Sequence, residues 1–149
     1  MVDAQAIPSR KDRKRAEIVT IAGELFFKGG YAGTSMSQIA AAVGGSKQTL
    51  YNYFQSKEEL LLAVVRDVVD MSPEEYLVGP PSDFRDWLTQ FGCATMKMLT
   101  TYKYISLQRL AAAEALRFPE VGRIFDEIGV EPFYTTMTAK FVEAMDAGI

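Results

Sequence analysis

Residues 34–57 read TSMSQIAAAVGGSKQTLYNYFQSK, and the fold turns on how this stretch is read. It describes two short helices joined by a tight turn. Ser35 is placed to cap the first, its hydroxyl taking a free backbone N–H of the first turn. Met36, Ile39, Ala40 and Val43 follow at i, i+3, i+4 and i+7, one apolar face. Gly44 comes next, where a helix end often needs a left-handed residue that only Gly adopts without strain. Ser46 caps the second helix, which turns Leu50 and Phe54 inward and leaves Lys47, Gln48, Thr49, Tyr51, Asn52 and Tyr53 outward.

The small Ala40 lets the two helices approach, and Ile39 with Leu50 closes a miniature core between them. This is the spacing of a helix-turn-helix, whose second helix lies in the major groove of DNA. The outward residues are donors, acceptors and one cation, with no carboxylate to repel phosphate. An ordinary helical hairpin with a solvated face shares the pattern, so spacing alone leaves both readings open.

Residues 14–66 resemble the DNA-binding domain of the TetR (tetracycline-repressor-like) family of transcriptional regulators. The resemblance is carried by Ile18, Ala22, Leu25, Phe26, Gly30, Tyr31, Thr34, Ile39, Ala40, Val43, Gly44, Ser46, Leu50, Tyr51, Tyr53, Phe54, Lys57 and Leu60. It implies an all-α fold: an arm over residues 1–9, a helix-turn-helix domain over 10–56 and a helical regulatory domain over 57–149. Lys47, Gln48 and Thr49, at the start of the reading helix, are then expected at base edges, with Ser37 as a helper. Tyr51, Tyr53 and Lys57 match positions that grip phosphate in the family, and Thr34 and Ser35 are expected to assist from the preceding helix.

Charge is uneven along the chain. The total is −3, yet residues 10–57 carry eight Lys or Arg against three acids, and residues 61–149 carry eight against thirteen. A basic head followed by an acidic body suits nucleic acid better than the total suggests. Cys93 is the single cysteine and there is no His. That excludes an internal disulfide and a cysteine zinc site, and removes the commonest metal ligand and general base. No cofactor or metal is expected, no membrane span is long enough, and a cytoplasmic location fits.

The cluster Arg10, Lys11, Arg13, Lys14 and Arg15 opens a helix at the end where cations oppose the macrodipole. Phosphate contact and a merely solvated arm both explain it. Ile18, Ala22, Leu25 and Phe26 form one face of that helix, which stops at Gly29-Gly30; Tyr31 packs beneath the helix-turn-helix if the resemblance holds. Ser56 caps a fourth helix, with Leu61, Val64, Val65 and Val68 as its stripe. In the family this helix joins DNA-binding head to regulatory body. Residues 71–81, with Pro73, Pro80 and Pro81, read as a loop, and Ser82 as the cap of a fifth helix.

That fifth helix carries Phe84, Trp87, Leu88, Phe91, Ala94 and Met98 on one side and Met96, Leu99 and Tyr102 on another, which predicts burial between other helices. A sixth is expected over about residues 104–116. Phe118-Pro119-Glu120 restarts a helix, and Pro132 is expected to interrupt or kink it. The run AEALRFPEVGRIF over residues 113–125 also looks like the central part of many TetR-family regulatory domains.

Met and aromatic side chains fill helical cores and also line adaptable pockets. The resemblance implies an effector among these helices, and Trp87, Phe91, Met96, Met98, Tyr102, Phe125, Phe133, Tyr134 and Met137 are the candidate lining. Glu114, with Arg109, would orient a polar group on the ligand or form a surface ion pair. The ligand expected is small, largely apolar, and aromatic or cationic.

The resemblance implies a ligand-responsive repressor that binds double-stranded DNA, at a palindromic operator, as a homodimer. An activator or architectural DNA binder on the same fold is the alternative. An enzyme or small-molecule carrier lacks support, since no nucleophile–base pair is present and Gly44-Gly45-Ser46-Lys47 lacks P-loop spacing. Family members usually continue with two more long helices that build the dimer interface, whereas this chain stops at Gly148-Ile149. Leu110, Ile124 and Ile128 are therefore expected to lack part of their cover.

Overall fold

The computed structural model describes residues 9–69 and 83–148, which form eight α-helices and one π-helical turn. The arm expected before Ser9, the proline-rich loop over 71–81 and the Ser82 cap lie outside the described residues. Contacts divide the chain into two compact units, one ending at Val64 and the next beginning at Val65. Helix α4 (Lys57–Val69) runs across that division.

In the N-terminal unit, α1 (Arg10–Gly33) opens on a capping box: Ser9 Oγ accepts from Asp12 N–H, and the Asp12 carboxylate accepts from Ser9 N–H. Those bonds hold the Asp12 carboxyl below its ordinary range, the Ser9 hydroxyl contributing most. The helix is broken at Gly30 (φ 76°, ψ 164°), a backbone region essentially closed to residues with a Cβ. The sequence stop at Gly29-Gly30 is thus a kink, with one further turn beyond it.

Helices α2 (Met36–Ala42) and α3 (Lys47–Tyr51) follow. Ser35 and Gln38 form a second capping box, and Ser46 Oγ accepts from Thr49 N–H. Between them, Gly44 (φ 71°) sits left-handed while its N–H reaches Ala41 O and the Gly45 N–H reaches Ala40 O. Two carbonyls left over at the end of α2 are thereby satisfied. Ile18, Ala22, Phe26, Ile39, Leu50, Phe54, Leu60 and Leu61 make a core with exposures of 0–2 %. A Cβ on Gly23 would meet Val64 Cγ1 at 3.3 Å, so the small residue is what brings α1 and α4 together.

The C-terminal unit contains α5 (Phe84–Leu99), α6 (Tyr102–Glu114), α7 (Pro119–Phe125), a π-helical turn over Asp126–Val130 and α8 (Glu131–Asp146). Asp83 caps α5 by accepting from Asp86 N–H, and Pro119 opens α7. Rather than a simple break at Pro132, the chain widens into the π turn just before it, with Glu131 N–H bonded to Asp126 O. Trp87, Phe91, Ala94, Leu107, Leu110, Val121 and Ile124 are buried.

Three expectations are corrected here. Helix α5 is not apolar-buried on two sides: Met96 is 59 % exposed. Tyr102 belongs to the start of α6, not to α5, and is 77 % exposed. Leu110 and Ile124 do not lack cover, because Gly122 lets α7 close on the end of α6, its Cβ position 3.1 Å from Ala115 Cβ. Ile105, Leu116, Tyr134, Phe141, Val142 and Met145 are also exposed, and Ile128 is half-buried.

Candidate nucleic-acid interface and internal cavity

The outer surface of α2 and α3 presents Ser35, Ser37, Lys47, Gln48, Thr49 and Tyr51, all exposed, with Tyr53 half-buried beside them. No Asp or Glu occurs between Glu24 and Glu58, so this surface carries no repulsion toward phosphate. Leu50 and Phe54 fix the rotation of α3 by filling the core, which leaves Lys47 and Gln48 at its outer start. The Thr49 hydroxyl lies 2.8 Å from Ser46 Oγ and is held at the cap.

Some expected interface residues have internal work. Thr34 is buried, and its hydroxyl donates to Leu25 O and Gly30 O at 3.1 and 2.9 Å. Its side chain braces the kink and does not face outward. The Ser35 hydroxyl donates to Gln38 Oε1 at 2.8 Å, so its only proton is committed to the cap. Lys57 sends its ammonium to Tyr31 O at 2.8 Å and Thr34 O at 3.2 Å, over the Tyr31 ring at 4.1 Å. It ties the start of α4 to the segment after the kink.

The basic cluster divides as well. Lys14 pairs with Glu17 at 3.0 Å and donates to Val43 O at 3.3 Å, closing the end of α2. Arg15 lies over the Phe54 ring at 4.8 Å. Arg10, Lys11 and Arg13 are exposed along the first turns of α1. Sequence spacing had no means of separating these roles, because Val43 and Phe54 lie about thirty and forty residues beyond Lys14 and Arg15.

The C-terminal unit carries a partly open cavity of about 440 Å³. Of the candidate lining residues, Phe91, Met98, Phe133 and Tyr134 border it. Trp87 stands behind Phe91, with ring centroids 5.0 Å apart, and packs on Phe84 at 6.0 Å. Phe125 packs against Tyr104 at 6.5 Å and does not reach the wall. Met96, Tyr102, Glu114 and Met137 are also absent from the lining, and so is Arg109.

The sequence reading missed Thr95, Tyr104, Ile128, Pro132 and Thr136, and also Val69 at the end of α4. Thr95 and Thr136 carry no apolar-stripe signal. Tyr104 falls one turn into α6, at an i+3 step before Leu107, a position that a stricter helical register would have found. Among the described residues no charged side chain lines this space, and no cluster of His, Cys, Asp and Glu has the makings of a metal site. No helix of the described residues is long and apolar enough to cross a membrane.

Residues 18–64 match the model of bacterial regulatory proteins of the tetR family, and residues 86–149 match the C-terminal domain of AefR-like transcriptional repressors. Among solved structures, the flavonoid-responsive regulator FrrA is 32 % identical with a TM-score of 0.75, the match covering 91 % of this chain and 69 % of that one. A TetR-family regulator from Mesorhizobium loti is 30 % identical with a TM-score of 0.71, covering 95 % and 73 %.

Curated relatives divide in their action. The transcriptional activator FasR of Mycolicibacterium smegmatis is 42 % identical over 60 residues, 40 % of this chain and 27 % of its own length. The repressor KstR2 of Rhodococcus jostii is 30 % identical over 118 residues, 78 % of this chain and 54 % of its own. The repressor AcnR of Corynebacterium diphtheriae is 27 % identical across 91 % of this chain and 82 % of its own. The chain thus spans about a quarter to a half of the first two. Two adjoining family models, an all-helical fold and a capped helix-turn-helix place this chain in the TetR family of DNA-binding transcriptional regulators, which are not enzymes.

Proposed function

We propose that this chain is a transcriptional repressor that a small, largely apolar molecule releases from its operator. The observation that carries DNA reading is the Ser46-capped α3, turned outward at Lys47, Gln48 and Thr49 on a surface free of acids. Lys47, Gln48 and Thr49 meet base edges, Ser37 helps, and Tyr51 and Tyr53 approach phosphate. Repression is favoured over activation because the match to AefR-like repressors runs over residues 86–149, and the likeness to AcnR extends over most of the chain. The likeness to the activator FasR is confined to 60 residues.

Two copies would set their α3 helices in successive major grooves, about 34–36 Å apart. Ligand in the cavity would press on Val69 at the end of α4, a helix whose Leu60, Leu61 and Val64 are packed in the N-terminal unit. A shift of α4 would then change the separation of the two reading helices, with a coupling of about 1–3 kcal/mol. The cavity's aromatic lining and the likeness to a flavonoid-responsive regulator make flavonoids the first effector class to try. The test is a reporter driven from a site selected by the protein. Output should fall when the chain is expressed and recover with an effector; a rise on expression would favour activation.

A further inference from the structure

The cavity wall holds one buried hydroxyl without a protein partner among the described residues. Thr95 is 9 % exposed, and its Oγ1 is buried with no hydrogen bond. This is unusual within its own helix. Thr89 donates to Arg85 O at 2.8 Å, the i−4 carbonyl that a helical threonine ordinarily uses, and Thr20 in α1 does the same to Ala16 O. Thr95 has the same carbonyl geometry behind it and leaves it unused. Tyr104, 7 % exposed as a residue, brings a further hydroxyl to the wall, and its phenol oxygen, unlike that of Thr95, is not a buried unsatisfied atom. Both residues line the cavity.

An unpaired buried hydroxyl is destabilising, so its persistence calls for a partner that comes and goes. A threonine in a helix has two accessible χ1 wells, and one rotation brings Oγ1 to the place of a methyl or hydrogen without moving backbone. Apart from Thr136 and the Tyr134 phenol, the rest of the wall is apolar, including Phe91, Met98, Ile128 and Phe133, and among the described residues no charged side chain lines it. A charged ligand would lose its hydration there, and the aromatic faces would return only part of it to a cation and none to an anion.

We infer that the cavity takes a neutral, ring-bearing molecule with a carbonyl or hydroxyl oxygen, which Thr95 and Tyr104 hydrogen-bond as specificity-determining donors. This rests on the effector reading above and narrows it: a neutral ligand is preferred to the cationic one that the sequence admits. Rings would lie among Phe91, Phe133 and Tyr104, whose neighbouring aromatics hold them in place; Phe91 and Phe133 centroids are 5.6 Å apart.

Three naphthalenes of one skeleton test it by calorimetry on the whole chain: 2-acetylnaphthalene, 2-naphthoate and 2-naphthylmethylammonium. The ketone should bind, and each ion at least about tenfold more weakly. Thr95→Val and Tyr104→Phe should each weaken the ketone about three- to tenfold. Thr95→Val should at the same time raise the thermal midpoint of the ligand-free protein by about 2–4 °C, since it removes an unsatisfied hydroxyl. A fall in that midpoint would mark the hydroxyl as structural and overturn the inference. So would equal affinity for the ions, wild-type ketone affinity in either variant, or no ketone binding up to about 1 mM, a floor of roughly −4 kcal/mol. Operator affinity is titrated separately. A cavity that holds the ketone by these hydroxyls without any effect on operator binding contradicts the effector reading and leaves the ligand class standing.

Discussion

Two buried threonines separate the two units of this molecule. Thr34, in the N-terminal unit, donates its hydroxyl to Leu25 O and Gly30 O and locks the kink within α1. Thr95, in the C-terminal unit, donates to nothing and borders a cavity. The same contrast runs through their surroundings. Ser9, Ser35, Ser46 and Ser56 all cap helices of the first unit by side-chain bonds, and the α2–α3 turn closes its last carbonyls. In the second unit Asp83 and Thr101 cap α5 and α6 in the same way, but α7 and α8 lack a side-chain cap, and a π turn with Pro132 just beyond it forms part of the cavity wall. A reading head has to hold α3 at one rotation, whereas on the effector reading proposed above the second unit keeps an unsatisfied group for a ligand.

The sharpest way to break that contrast is to remove a large ring from each unit. Phe54→Ala should cost about 3–5 kcal/mol, since the ring is fully buried, and should abolish operator binding. Phe133→Ala, half-buried on the cavity wall, should cost less than half as much and leave ligand-free operator binding intact. Urea unfolding and operator titration on the same samples compare them.

Backbone substitutions should differ in sign. Gly30→Ala forces a Cβ into a φ of 76° and should destabilise by about 1–3 kcal/mol. Gly92→Ala, inside α5 with open space at its Cβ, should stabilise by about 0.5–1 kcal/mol. A stabilised Gly30→Ala protein would mean that the kink is not fixed by the residues after it.

Lys57→Met keeps the stem over Tyr31 and removes the two bonds to Tyr31 O and Thr34 O. It should lower stability by about 1.5–3 kcal/mol, while the salt dependence of operator binding keeps its slope. A slope reduced by about one would return Lys57 to the phosphate contacts its family position implies.

The smallest effect concerns pH. The Asp12 carboxyl titrates below its ordinary value because the ionised form accepts from Ser9. Its contribution is therefore present above the unfolded carboxylate range and lost as pH falls through the folded value. Amide exchange in the first turn of α1 should accelerate in acid, and Asp12→Asn should remove that dependence.

What was legible in the sequence follows the same division. Caps and turns are local: Ser35, Gly44 and Ser46 announce themselves within four residues of what they satisfy, and the inward set Ile39, Leu50 and Phe54 follows from one period. The duties of Lys14, Thr34 and Lys57 depend on carbonyls 29, 9 and 26 residues away, so no local pattern reveals them. The cavity was half legible. Phe91, Met98, Phe133 and Tyr134 were named because they are large and apolar, and Trp87 and Phe125 were named for the same reason although they stand behind the wall. Thr95 is defined by what it does not bond, a property that only packing exposes.

The most direct test of the central claim, that the outer start of α3 reads DNA, is selection from random duplex DNA by the chain and by its Gln48→Ala variant. The expected result is one recurrent half-site, with the variant losing preference at a single base pair, about 1–3 kcal/mol of discrimination, and keeping the others. Identical preferences for the two proteins, or no enrichment by the unaltered chain, would contradict α3 as the reading helix.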